Sequence, residues 1–245
     1  MTNNYSRLGT TLLAGAILAV LAIGLIMFGA RLGFWEPIVG FGMIRNYMNP
    51  IGYAVAGLAA LGFIYYLITS NSKGAVKALI ATLIGVAILS PMIYGKLNPQ
   101  KRQPPINDIT TDTSNPPTFL VLDDSRAGAK NSLVYGGAKV AETQQKLYPG
   151  IAPIQSSQSA PEAYAKALSI AKESGWEIVA EDAGALRFEA TAITSVYAFM
   201  DDVVVVVTAL DSGSRVDIRS ISRIGRSDKG VNAARVKAFI EAFGG

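Results

Sequence analysis

Residues 8–30 read LGTTLLAGAILAVLAIGLIMFGA, a run of 23 residues without a charge between Arg7 and Arg31. At 1.5 Å rise per residue a helix over this run is about 34 Å long, enough to cross a hydrocarbon core of about 30 Å. The run is too long, and its basic flank too thin, for a secretory signal peptide. Two more uncharged runs follow, one between Arg45 and Lys73 with its apolar centre at 51–69, and one over 78–95 between Lys77 and Lys96. Pro50 suits the first turn of the second helix, where a missing N–H goes unnoticed, and Pro91 kinks or ends the third. A membrane region over 1–97 with three helices, 8–30, 51–69 and 78–95, is therefore expected.

Composition agrees. Half of the 245 residues are hydrophobic and 16% are charged, against about 25% charged in an ordinary soluble chain. The first hundred residues hold six of the 22 basic side chains and one of the 18 acidic ones. The net charge of +4 thus belongs to the membrane flanks, where lipid headgroups are the expected partners, and gives no case for nucleic-acid binding. Cysteine and histidine are absent, which excludes disulfides, thiol nucleophiles, Cys/His zinc sites and a Ser-His-Asp triad. No Asp, Glu, Lys, Arg or His lies in the three apolar centres, so a transport path has no obvious residue to carry it.

Small residues at helical spacing, Gly52, Ala56 and Ala60 in the second helix with Ala81 and Gly85 in the third, allow close backbone approach. They predict packing among the three helices or against a partner membrane protein. Gly33 to Met48, with Phe34, Trp35, Phe41 and Tyr47, reads as a short interfacial stretch anchored by its aromatics.

From 98 to 118 the composition turns to Pro, Asn, Asp, Thr and Gln, which predicts an extended tether. A soluble domain over 119–245 follows. Ser159 and Pro161 open a helix from about Glu162 to Ser174, ended by Gly175. Strands are predicted over 176–181, 186–193, 203–209 and 215–224, the third marked as central by five consecutive valines. A last helix starts near Ser227 or Asp228 and presents Val231, Val236, Phe239 and Ile240. The fold class expected is α+β: three transmembrane helices, then a roughly four-stranded antiparallel sheet with two helices on one face.

The fourth strand places Arg215, Asp217, Arg219, Ile221 and Arg223 on one face. Two readings stand. In one, Arg219, Arg223, Arg226 and the Ser227 turn at a helix N-terminus bind an anion or acidic headgroup. In the other, the arginines pair across strands with Asp201, Asp202, Glu189 or Asp217. Asp201 and Asp202 point to opposite faces and so do not form a catalytic dyad. The spacing of Asp108, Asp112, Asp123 and Asp124 matches no metal-binding loop, so no metal or cofactor is expected.

The runs PPINDITTD at 104–112, NPPTF at 115–119, DDVV at 201–204, SRVDIRS at 214–220 and SRIGRSD at 222–228 together resemble the family called domain of unknown function 1499, over roughly residues 104–244. Asn107 stands where many members resemble one another in having His, which removes any role needing a titrating imidazole there. Counting basic residues, three on the side of the N-terminus against five on the other, places the domain in the cytoplasm. The resemblance implies instead an extracytoplasmic, periplasmic domain on a multi-pass protein of the inner (cytoplasmic) membrane, and that orientation is the one expected.

With no catalytic constellation, the function expected is that of a non-catalytic, membrane-anchored accessory subunit or assembly factor, its partners being lipids and a larger membrane complex. The alternative is a binding domain for an anionic small molecule or lipid headgroup.

Overall fold

The computed structural model describes residues 5–99 and 104–244. Lys101 and Arg102, counted above on the domain side, lie outside the described residues. The chain divides into two compact units, Met1–Arg102 with the loop Ser195–Ala198, and Gln103–Thr194 with Phe199–Gly245.

The first unit contains α1 (Tyr5–Phe28), α2 (Pro37–Ile68) and α3 (Ser72–Leu97), each long and apolar enough to cross a membrane. Two boundaries differ from expectation. Pro50 sits inside α2, which starts with Pro37 in its first turn, so most of the 33–48 stretch is the beginning of a long helix and not a separate interfacial piece. Pro91 likewise lies inside α3, which continues to Leu97. A proline removes one backbone hydrogen bond and crowds the preceding turn, a local cost that neighbouring packing outweighs here.

Glycine and alanine set the helix spacing. A Cβ added at Gly85 would overlap the backbone of Ala56, and one at Gly52 would overlap Leu89. Ala16, Ala59 and Ala81 form one buried cluster, and Tyr66, Ala75 and Ala78 another. Ala59, not Ala60, is the member of that pair at the centre; Ala60 is half-buried. The Tyr66 hydroxyl accepts from the Gly9 N–H at 2.7 Å. Trp35 fills a notch that exists because residues 29 and 40 are glycines, whose added Cβ atoms would overlap the indole.

In the second unit β1 (Asp108–Thr110), β2 (Ile154–Ser156), β3 (Glu177–Asp182), β4 (Arg187–Ile193), β5 (Met200–Ala209) and β6 (Ser214–Ser222) form one sheet, with α4 (Gly137–Leu147), α5 (Ala160–Glu173) and α6 (Val231–Gly244). The order is β1-β6-β5-β4-β3, and β2 also pairs with β6. Every pairing is antiparallel. The four strands expected are present. β1 falls within the predicted tether, and β1, β2 and α4 were not anticipated. Three residues are too few to show alternation, and each short strand takes its register from β6, β1 opposite 219–221 and β2 opposite 214–216.

β5 lies between β4 and β6, and Val203, Val204, Val205 and Val207 are buried. On one face of the sheet Phe188, Ala190, Val203, Val205, Val216 and Ile218 join Ala163, Tyr164, Ala167 and Leu168 of α5 and Val236, Phe239 and Phe243 of α6 in a single apolar core. Burying each such side chain stabilises by about 1.5–3 kcal/mol. Trp176 stacks on Phe239, with ring centroids 5.8 Å apart. A capping box of Ser159 and Glu162 begins α5, and Gly175, at φ +73°, ends it.

Candidate functional site: the charged face of the sheet

The opposite face carries charge because strand neighbours alternate. Register brings Asp108, Thr110, Asp202, Asp217, Arg219, Glu189 and Thr191 onto that face from four strands. Residues 111–135, which contain no helix or strand, lie over it and are called the strap below.

Arg219 is the centre of the cluster and only 1% exposed. Its Nε and Nη2 donate to the two carboxylate oxygens of Asp108 at 2.9 and 2.8 Å. Nη1 and Nη2 also donate to the Pro117 and Leu133 carbonyls at 3.2 and 2.8 Å. The rings of Phe119 and Tyr135 lie 5.5 and 5.3 Å from the guanidinium carbon, within cation–π range. Burial raises the Asp108 carboxyl above its usual range, against the opposing hydrogen bonds and charge of Arg219. Burial also pushes the Tyr135 hydroxyl up to about 12.

Asp202, fully buried, is shared by two arginines. Arg126 reaches it through Nε at 2.5 Å, and Arg223 through Nε at 3.0 Å and Nη2 at 2.8 Å. The remaining donors are also used. Arg126 bonds the Asp123 and Asn131 carbonyls, and Arg223 bonds the Ala127 carbonyl and the Thr191 hydroxyl. Glu189 accepts the backbone N–H groups of Leu120, Val121 and Leu122. Towards β2, Arg215 pairs with both Asp112 and Asp217. Burial would raise Asp112, but N–H donors from Asn115 and Ser114, with Arg215, hold it below its usual range.

Asp201 points the other way, as alternation requires, and pairs with Arg235 of α6 at 2.7 Å; burial raises its carboxyl despite that partner. Asn232 ties the same corner together by accepting from Ser220 and donating to Ser222 and to the Asn107 carbonyl. Asn107 itself donates to the Gly225 carbonyl at 2.5 Å, so at this position an amide joins β1 to the loop before α6.

The four residues expected to hold an anion separate into two environments. Arg219 and Arg223 lie under the strap with internal partners, whereas Arg226 and Ser227 are exposed in the loop before α6. The N–H groups of Gly230, just before α6, and of Asn232, in its first turn, are taken by the Asp228 carboxylate at 2.9 and 2.6 Å. Cross-strand pairing with Asp202 is present for Arg223, whereas the Arg219 partner, Asp108, comes from β1. Arg126, Thr111, Gln144 and Asn232 were not singled out from sequence. Arg126 lies in a segment without periodicity, and Gln144, buried on α4, bonds both backbone groups of Thr110, for which no local signal exists. Of the residues expected at helix contacts, Gly52, Ala56 and Gly85 meet inside the three-helix unit. Among the described residues no group of three or more Asp or Glu side chains is placed to hold a metal ion.

Chemically, this face is a set of internally bonded guanidinium–carboxylate pairs, beside which the buried Tyr135 hydroxyl has no hydrogen-bond partner among the described residues. Such a set fixes a segment in place.

No curated protein matches the chain in sequence. A family model described as protein of unknown function (DUF1499) matches residues 108–243, from the first residue of β1 almost to the end of α6, and so takes in the whole charged face and the strap above it. The chain belongs to the DUF1499 family.

Proposed function

We propose that the protein is a non-catalytic, membrane-anchored accessory subunit or assembly factor of a larger membrane complex, with its DUF1499 domain on the extracytoplasmic side of the inner membrane. The observation that carries this reading is the internal pairing of the arginines on the charged face. Arg126, Arg219 and Arg223 bond carboxylates and carbonyls of the same domain, so the richest cluster of ionisable groups organises structure. The three apolar helices supply an anchor without an intramembrane charge at their centres, which suits attachment better than transport.

Extraction of the full chain in mild detergent tests the reading. The expected result is a particle well above the 25.9 kDa of one chain, with a membrane protein present in fixed proportion. A lone monomer overturns it. Sidedness has its own test, because the chain has no cysteine: Ser227→Cys is expected to react with an impermeant maleimide from the extracytoplasmic side, and labelling only after lysis reverses the orientation.

A further inference from the structure

The strap is polar towards the sheet, and among its exposed polar residues three large apolar side chains face outwards. Its inner surface consists of backbone groups and side chains bonded to Glu189, Arg219 and Asp202. On its outer surface Leu120 is 69%, Val121 60% and Val134 79% exposed. The two ends of the strap are tied together, because the Asp124 carboxylate accepts the Leu133 N–H at 2.7 Å and the Ser132 hydroxyl at 2.8 Å, which brings Val134 to the stretch that carries Leu120 and Val121. Glu189, which holds 120–122, is in lateral register with Val204, and Val204 with Arg219, a separation of two strand spacings or about 10 Å.

Two exposed carboxylates, Asp123 and Asp124, follow the apolar residues in the strap, which carries one exposed cation, Lys130, further along. Hydrogen bonds from Ser125 hold Asp123 below the usual carboxylate range, and those from the Leu133 N–H and the Ser132 hydroxyl do the same for Asp124. We propose that this outer surface, Leu120, Val121 and Val134 beside Asp123 and Asp124, is a docking surface for a protein that presents an apolar patch bordered by lysine or arginine. The inference rests on the accessory-subunit reading and names the chemistry of the partner.

An apolar centre with a charged rim is the anatomy of protein interfaces. Anchoring the strap by ion pairs fixes its shape beforehand, which lowers the ordering cost of association. The same carboxylates disfavour the other occupants. An anionic membrane surface repels them, and a second copy of the chain docked through the same patch would set like charges against each other.

The test uses the full chain in its native membranes with a photo-crosslinking residue at Val134, and a control at Val179, which is 41% exposed on β3. The expected result is a discrete protein adduct from position 134 and none from 179. Its yield falls by about fivefold or more in Asp123→Lys, because the rim charge steers and orients the encounter. The Asp123 carboxylate accepts within its own turn, from Ser125, and Val121→Ser provides a second variant that lowers the yield in the same way. An adduct with lipid alone, an adduct of two copies of this chain, equal yields at 134 and 179, or a yield indifferent to both variants overturns the proposal. Native gels of the same membranes separate the two failures. A complex that persists without the charge-sensitive adduct removes this surface alone, whereas a lone monomer removes the accessory-subunit reading with it.

Discussion

Arg219 joins three parts of the domain through one guanidinium: β1 by Asp108, the start of the strap by Pro117 and Phe119, and its end by Leu133 and Tyr135. Removing one partner of a buried ion pair costs about 3–5 kcal/mol because the other charge is left uncompensated. Arg219→Met is expected to lose that much in urea unfolding followed by circular dichroism, Arg219→Lys less, and Arg219→Met with Asp108→Asn less than Arg219→Met alone. Because burial raises Asp108, its protonation favours the folded state. That contribution is complete below its ordinary value of 3.8 and lost as pH rises through the folded value, so the deficit of Arg219→Met shrinks in acid. Asp124 behaves in the opposite sense. Its hydrogen bonds lower it, so its contribution to holding the strap is present above 3.8 and lost as pH falls through its folded value. Pepsin is expected to cut within 111–135 only below that pH, whereas Asp124→Asn is cut at pH 3.8 already. The alternation of 215–223 made the arginine face legible in the sequence; the partners were half legible, since Asp202 follows from strand pairing but Asp108 was read as tether.

Helix and strand contacts depend on a few positions where no side chain fits. Gly85→Val drives a branched side chain into the Ala56 backbone and is expected to cost about 1–3 kcal/mol, read as a lower melting temperature of the full chain in detergent. Gly213 has φ +91°, and an added Cβ would overlap the carbonyl of Ser156. Gly213→Ala is therefore expected to loosen β2 from β6, measured as faster amide exchange at 154–156. Gly15 faces open space, and Gly15→Ala serves as the neutral comparison. Strongly patterned elements were legible: α5 from Ser159, Pro161 and its apolar stripe, β5 from its valines, the hairpin of β3 and β4 from its turn. α4 was not, because its single fully buried residue is polar Gln144. The continuity of α2 was not either, because a proline reads as a helix start, and packing around Pro50 is a property of neighbours in space.

At the scale of the molecule, each unit has its own core, one of alanine and glycine between helices and one of valine, isoleucine and phenylalanine between sheet and helices. The piece 104–245 is therefore expected to express as a soluble monomer with a cooperative melt, while the full chain stays with vesicles after a carbonate wash; a soluble full chain contradicts the role of the three helices as an anchor. This division was legible from charge alone, since 16% charged residues are distributed so unevenly. The strap was not, because its order comes from the sheet beneath it. The stacking of Trp176 on Phe239 has an optical consequence. The chain contains two tryptophans, Trp35 in one unit and Trp176 in the other. Ultraviolet emission is thus the sum of two lamps in separate rooms, and with Trp35→Phe the remaining glow reports on the sheet-and-helix core alone.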